Sequence, residues 1–252
     1  MQVKDKLVVI TGAGKGIGRA MAQVFAARGA HVALLDRNEA DLEQTRSLCE
    51  ATGVRATSYC CNVAVEAEVV DTFARIANDS GRLDVLINNA GVVRDSLLIK
   101  EERGVFKKMS LEQWQAVLDV NLTGVFLCGR EAAEHMIKFE NGGVIINMSS
   151  LSRSGNIGQS NYAAAKAGVA SMTVVWAKEL ARYGIRTGAI APGFVLTEIL
   201  SSMRPEILER LLTSVPMRRG GQPEEVAQAA VFIVENDYFS GRVIELDGGL
   251  RL

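Results

Sequence analysis

Between Leu7 and Arg37 the chain passes from an apolar run into a glycine-rich turn, then a segment with helical spacing, then a second apolar run. Leu7 to Ile10 is apolar at every position, which suits a strand buried on both faces and not one with a wet face. Thr11-Gly12-Ala13-Gly14-Lys15-Gly16-Ile17-Gly18 follows at once, then Arg19 to Arg28 at helical spacing, with Gly29 as a stop. His31 to Leu35 forms the second strand and ends in Asp36-Arg37. Strand, glycine loop, helix and strand in this order have the proportions of a βαβ mononucleotide-binding unit.

The glycine loop narrows the chemistry further. A phosphate-hydrolysing P-loop needs Gly-Lys followed by Ser or Thr to hold magnesium, whereas Lys15 is followed by Gly16. Gly12, Gly16 and Gly18 are spaced GxxxGxG, not GxGxxG. The physical task is the same, because glycines let backbone N–H groups approach a pyrophosphate at the positive end of the next helix. Asp36 lies eighteen residues after Gly18, where a dinucleotide fold places a carboxylate on the adenosine ribose. A carboxylate accepts bonds from both ribose hydroxyls and repels a 2′-phosphate, which favours NAD over NADP. Lys15 and Arg37 pull the other way, as cations able to pair with that phosphate.

Strands and helices then alternate to the end. Asn38 caps a helix to Ala51, Arg55 to Cys60 is a third strand, and Cys61-Asn62-Val63 brings a short polar side chain to its tip, placed to meet an adenine edge. Leu83 to Ile87 runs into Asn88-Asn89-Ala90-Gly91, on the same edge as the glycine loop. Val92 to Met109 is polar and charged, a solvated excursion or short hairpin. Ser110-Leu111-Glu112-Gln113 reads as the capped start of a long helix through Phe126, with Asn121 buried in it. That asparagine either satisfies a neighbouring carbonyl or holds a water for a proton pathway. Gly143 to Met148 and Ile185 to Ala191 are further strands, the latter closed by Pro192-Gly193. Thr197 to Leu212 is amphipathic, and the segment from about 195 to 215 reads as a lid over the strand ends. With no linker, repeat or low-complexity tract, residues 1–252 form one α/β domain, a Rossmann fold with a doubly wound parallel sheet of about seven strands.

Tyr162 and Lys166 are four apart in YAAAK, so a helix puts them on one face. A phenol with a pKa of about 10 gives little tyrosinate at neutral pH. An ammonium roughly 4 to 5 Å away, at an effective dielectric near 20, is worth about 3 to 4 kcal/mol, enough to draw the phenol toward general acid–base work near neutrality. Ser149, in the loop after the fifth strand, is placed to hydrogen-bond the same substrate oxygen.

Composition excludes other functions. A net charge of −1 leaves no electrostatic footprint for nucleic acid or an anionic membrane. Cys49, Cys60, Cys61 and Cys128 form no CxxC pair and His31 and His135 stand apart from them, so no metal site is expected. No apolar run is long enough to span a bilayer and the N-terminus carries no secretory pattern, so the expected compartment is the cytoplasm, with reduced thiols.

TGAGKGIG at Thr11 to Gly18, NNAG at Asn88 to Gly91, NLTG at Asn121 to Gly124, Ser149, Tyr162 and Lys166 at their spacing, and Pro192-Gly193 together resemble the short-chain dehydrogenase/reductase family over essentially the whole chain. GQSNYAAAKAG, APGFVLTE and the ELDGG ending look most like the 3-oxoacyl-[acyl-carrier-protein] reductases within it. The resemblance implies nicotinamide-dependent chemistry with Tyr162 as acid–base residue, Ser149 orienting the carbonyl and Lys166 binding the nicotinamide ribose. It also implies that Asn121 holds a water linked to Lys166. Cofactor contacts are implied for Gly12, Lys15, Gly16, Ile17, Gly18, Asp36, Arg37, Asn62, Val63, Asn89, Ala90, Gly91, Tyr162, Lys166, Pro192, Gly193, Val195 and Thr197. The implied reaction is reduction of a 3-oxoacyl thioester of acyl carrier protein or coenzyme A, in a homotetramer. The alternatives are dehydrogenation of a sugar, polyol or steroid alcohol and, in another class, a non-catalytic nucleotide sensor.

Overall fold

A computed structural model describes residues 1–251, without the side chains of Ile199 and Ser201. The apolar runs form the strands β1 (Leu7–Thr11), β2 (His31–Asp36), β3 (Ala56–Cys60) and β4 (Val85–Asn88). Around them stand α1 (Gly16–Ala27), α2 (Glu39–Glu50) and α3 (Glu66–Ser80). The Val92 to Met109 stretch contains an antiparallel hairpin, β5 (Ile99–Glu102) and β6 (Val105–Lys108), exposed along both strands. Next come α4 (Leu111–Leu118), α5 (Gly124–Lys138), β7 (Gly143–Met148), α6 (Ser160–Leu180) and β8 (Ile185–Pro192). The short α7 (Glu198–Ser201), then α8 (Pro205–Thr213), α9 (Pro223–Glu235) and β9 (Arg242–Leu246) complete the order.

Seven strands make one parallel sheet in the order β3-β2-β1-β4-β7-β8-β9. Both faces are covered, which is why β1 is apolar throughout. Val8 and Ile10 point into a core with Met21 and Phe25 of α1 and Val226 and Ile233 of α9. Leu7 and Val9 point the other way, onto Phe73 and Ile76 of α3 and Leu127 and Met136 of α5. Each such side chain, fully buried, contributes roughly 1.5 to 3 kcal/mol.

The order turns back between β1 and β4, and a doubly wound sheet opens its ligand crevice at that reversal. Because all seven strands are parallel, the loops after β1, β2, β3, β4, β7 and β8 rise on one edge. Two elements differ from the sequence reading. The helix expected from Ser110 through Phe126 is interrupted by a π-helical turn, Asp119–Thr123. The amphipathic segment expected from Thr197 to Leu212 is two helices, since Pro205 begins α8 afresh and its missing N–H cannot continue α7.

Candidate active site

The cofactor cradle is built from backbone. Helix α1 starts at Gly16 with Lys15 as N-cap, with no side-chain cap and no acid in its first turn. Its first N–H groups therefore need an acceptor, and the positive end of the helix favours an anion there. A Cβ on Gly12 would lie 2.8 Å from the Ala90 Cα, and one on Gly18 would lie 2.0 Å from the Gly12 carbonyl oxygen. Only glycine lets loop, helix start and β4 tip approach this closely. Thr11 Oγ1 accepts from the N–H groups of Asn89 and Ala90, each at 3.0 Å, and Asn89 Nδ2 donates to the carbonyls of Thr11 and Gly12. The Asn89 side chain thus staples the β4 tip to the loop, leaving Ala90 and Gly91 at the edge.

Asp36, at the end of β2, accepts from Gly14 N–H at 3.0 Å through Oδ2 and from Arg37 N–H at 2.7 Å through Oδ1. Lys15 and Arg37 are exposed beside it. Beyond β3, Asn62 Oδ1 accepts from Ala64 N–H, while the buried Val63 packs its side chain against Gly124. From β8, Pro192 and Gly193 lead to Val195, bridged to Gly221, and to Thr197, whose methyl lies 3.3 Å from where a Gly16 Cβ would be. Ile17 is half-buried against the core behind the loop. An uncapped helix start, a carboxylate at the β2 tip and a cleft floored by glycine fit a dinucleotide.

The reacting end lies at the tip of β7 and the start of α6. Lys166 is 3 % exposed and its Nζ donates to the Met148 carbonyl at 2.7 Å. An ammonium carries three donors, so two remain for the hydroxyls of a ribose. Burial pushes this ammonium down to about 8. Its Nζ stands 5.6 Å from the centroid of the Tyr162 ring, over the face.

One expectation is corrected here. Burial pushes the Tyr162 phenol above its ordinary value, and the Asp95 carboxylate adds to the rise, while the Ser150 hydroxyl pulls the other way. Lys166 does not lower it: its ammonium stands over the ring face and donates to the Met148 carbonyl. Ser149, just past the tip of β7, is buried, and its Oγ donates to the Lys166 main-chain carbonyl at 2.9 Å, on the helix that carries Tyr162. Ser150, half-buried beside it, accepts from the Ser152 N–H through its Oγ.

Asn121 sits buried in the π-turn, and both ends of its amide bind Val92: Oδ1 accepts from N–H and Nδ2 donates to C=O, each at 2.8 Å. Of the two roles left open by the sequence, the geometry gives its side chain the first, satisfying a neighbouring backbone. Sequence reasoning missed three more residues at the mouth. Gln159 Nε2 donates to Asp95 Oδ2 at 3.0 Å, and Asn161 Nδ2 donates to the carbonyls of Arg94 and Gln113. Arg94-Asp95, one residue beyond Gly91-Val92, and Asn161, directly before Tyr162, were the available signal. Among the described residues no three His, Cys, Asp or Glu side chains converge to hold a metal ion, and no helix is long and apolar enough to cross a membrane.

Known proteins resemble the chain over nearly its whole length. Residues 12–251 match a family model described as enoyl-(acyl carrier protein) reductase. The chain is 40% identical over 252 residues to 3-oxoacyl-[acyl-carrier-protein] reductase of Thermotoga maritima, covering 99% of each. It is 36% identical over 248 residues to carbonyl reductase family member 4 of Xenopus tropicalis, covering 98% of each. A crystal structure of a short-chain type dehydrogenase/reductase from Mycobacterium marinum superposes with a TM-score of 0.90 at 30% identity, covering 98% of this chain and 96% of the other.

Proposed function

This chain belongs to the short-chain dehydrogenase/reductase family, whose members are oxidoreductases of CH–OH and C=O groups using NAD(P), and we propose that it reduces a 3-oxoacyl thioester to the 3-hydroxyacyl product with NADH. The observation that carries the reading is the convergence of Ser149, Tyr162 and Lys166 beside the glycine cradle. When bound, the nicotinamide supplies a hydride to the carbonyl carbon. Tyr162, kept neutral by burial, donates a proton to the carbonyl oxygen, and Ser149, turning its hydroxyl from the Lys166 carbonyl, donates a hydrogen bond to that same oxygen as negative charge develops on it. Lys166 binds the ribose hydroxyls through its remaining donors and helps return a proton to Tyr162. Asn121 is a positioning residue whose amide holds the Val92 backbone in place.

NADH is the proposed reductant because the half-buried Asp36 carboxylate accepts ribose hydroxyls and repels a phosphate in the same place. The substrate class is supported by the relative from Thermotoga maritima, named for a 3-oxo group on a carrier-bound acyl chain. The test is turnover of acetoacetyl-CoA with NADH and with NADPH, against a panel of secondary alcohols with NAD. NADH-linked thioester reduction that falls about a hundredfold or more in Tyr162→Phe is expected. Alcohol oxidation without any thioester reduction would overturn the substrate, and turnover unchanged in Tyr162→Phe would overturn the mechanism. Asp36→Ser should shift the preference toward NADPH, since Lys15 and Arg37 then face the phosphate unopposed.

A further inference from the structure

The exposed edge of the active-site mouth carries a cleft that the reaction chemistry does not use, apolar along both walls and polar at Asn156 and at Ser160 on its rim. It has a volume of about 500 Å³ and is open to solvent on one side. Leu97, Leu98 and Ile99 form one wall; Gly155, Ile157 and Gly158 form the other. Leu98 is 71% exposed and Ile157 is 89% exposed, so these side chains gain by being covered. Gly155 and Gly158 hold positive φ and keep their wall low, and a Cβ on Gly155 would meet nothing within 4 Å.

The two walls are fixed to each other and to the catalytic centre. Ser96 N–H donates to the Gly158 carbonyl at 2.9 Å, and Gln159 bonds Asp95. Ser160, on the rim, opens the helix that carries Tyr162 two residues later. The outer wall continues into the β5–β6 hairpin, where Ile99 and Phe106 share one face because Ile99 pairs with Lys108 and Glu101 with Phe106. The apolar lining is thus preformed and continuous with the helix that carries Tyr162.

We propose that this cleft takes the unbranched hydrocarbon chain of the acyl substrate, making medium-chain 3-oxoacyl thioesters better substrates than the four-carbon acetoacetyl group. The inference rests on the thioester reading above. A one-sided cleft captures part of the transfer free energy of each methylene, roughly a two- to fourfold gain in kcat/KM apiece.

The experiment compares 3-oxodecanoyl-CoA with acetoacetyl-CoA in the wild type, Ile157→Asp and Leu98→Asp, beside direct binding of the fluorescent fatty acid cis-parinaric acid. The wild type should favour the longer chain by at least about tenfold. Each variant should lose most of that advantage through KM, with acetoacetyl-CoA turnover within about twofold of wild type, and should bind the probe more weakly. A flat chain-length profile, or variants that depress both thioesters equally, overturns the assignment, as does a probe that binds wild type and variants alike. Variant-sensitive probe binding with no thioester turned over by either cofactor would uphold the apolar site and overturn the thioester reading instead.

Discussion

The Lys166 ammonium is a charge held almost out of reach of water, and the fold bears a cost for it. In the unfolded chain it titrates near 10.5, and in the folded protein burial brings this down to about 8. Below pH 8 both states are charged and the folded one carries the full desolvation cost, about 3 kcal/mol. Between pH 8 and 10.5 the folded state binds fewer protons, so this group's destabilisation is relieved as pH rises. Lys166→Met should therefore abolish turnover and raise stability at pH 7 by about 1 to 3 kcal/mol, the lower end reflecting the Met148 carbonyl that loses its donor. A urea titration checks this, and a less stable variant would mean that the ammonium is a net structural asset. The same titration shapes catalysis: kcat/KM for reduction should fall as pH rises through about 8, where Lys166 loses its charge while Tyr162 stays protonated. Ser149→Ala should lower kcat about a hundredfold and cost about 1 kcal/mol of stability, whereas Ser150→Ala should change turnover little.

The break between α4 and α5 is the element on which the mouth of the site depends. A regular helix would carry Asn121 at a steady pitch, whereas the π-turn of Asp119–Thr123 inserts a residue and sets its amide against Val92 N–H and C=O. Asn121→Ala leaves both Val92 groups without their partner. It should destabilise the protein by about 2 to 4 kcal/mol and reduce turnover by loosening the segment that carries Asp95, as thermal unfolding and steady-state rates would register. The break was hidden in the sequence because Val120, Asn121 and Leu122 satisfy a continuous apolar spacing equally well. The strands were legible for the opposite reason. A sheet covered on both faces makes runs such as Leu7 to Ile10 and Leu34-Leu35 wholly apolar, a pattern that no exposed element produces. The glycine loop was legible because backbone contacts as close as that between Gly18 and Gly12 tolerate no side chain. Pro205 was a visible signal for the start of α8, overridden by the amphipathic spacing on either side of it.

At the scale of the whole molecule, α5 and α6 leave an apolar face uncovered. Phe126 is 43% exposed and Val175 is 45% exposed, and between the helices lies a cavity of about 550 Å³ lined by Ala133, Ile137, Trp176 and Leu180. A Cβ on Gly129 would sit 2.6 Å from the Trp176 ring, so the two helices are already as close as they can come and cannot close the gap themselves. Both helices also lead from the reacting end, since the π-turn precedes α5 and Tyr162 and Lys166 occupy the first two turns of α6. Covering this face with a second copy would bury the apolar stripe and brace both helices at once. The expected assembly is a homotetramer, with this face as one of its interfaces, and sedimentation equilibrium should give four chains at micromolar concentration. The double substitution Phe126→Glu with Val175→Glu places carboxylates in a contact that should be largely apolar, so it should split the assembly and lower kcat through looser α5 and α6. A wild type that sediments as a single chain would overturn the expectation. Assembly that survives the double substitution intact would place the contact on another face.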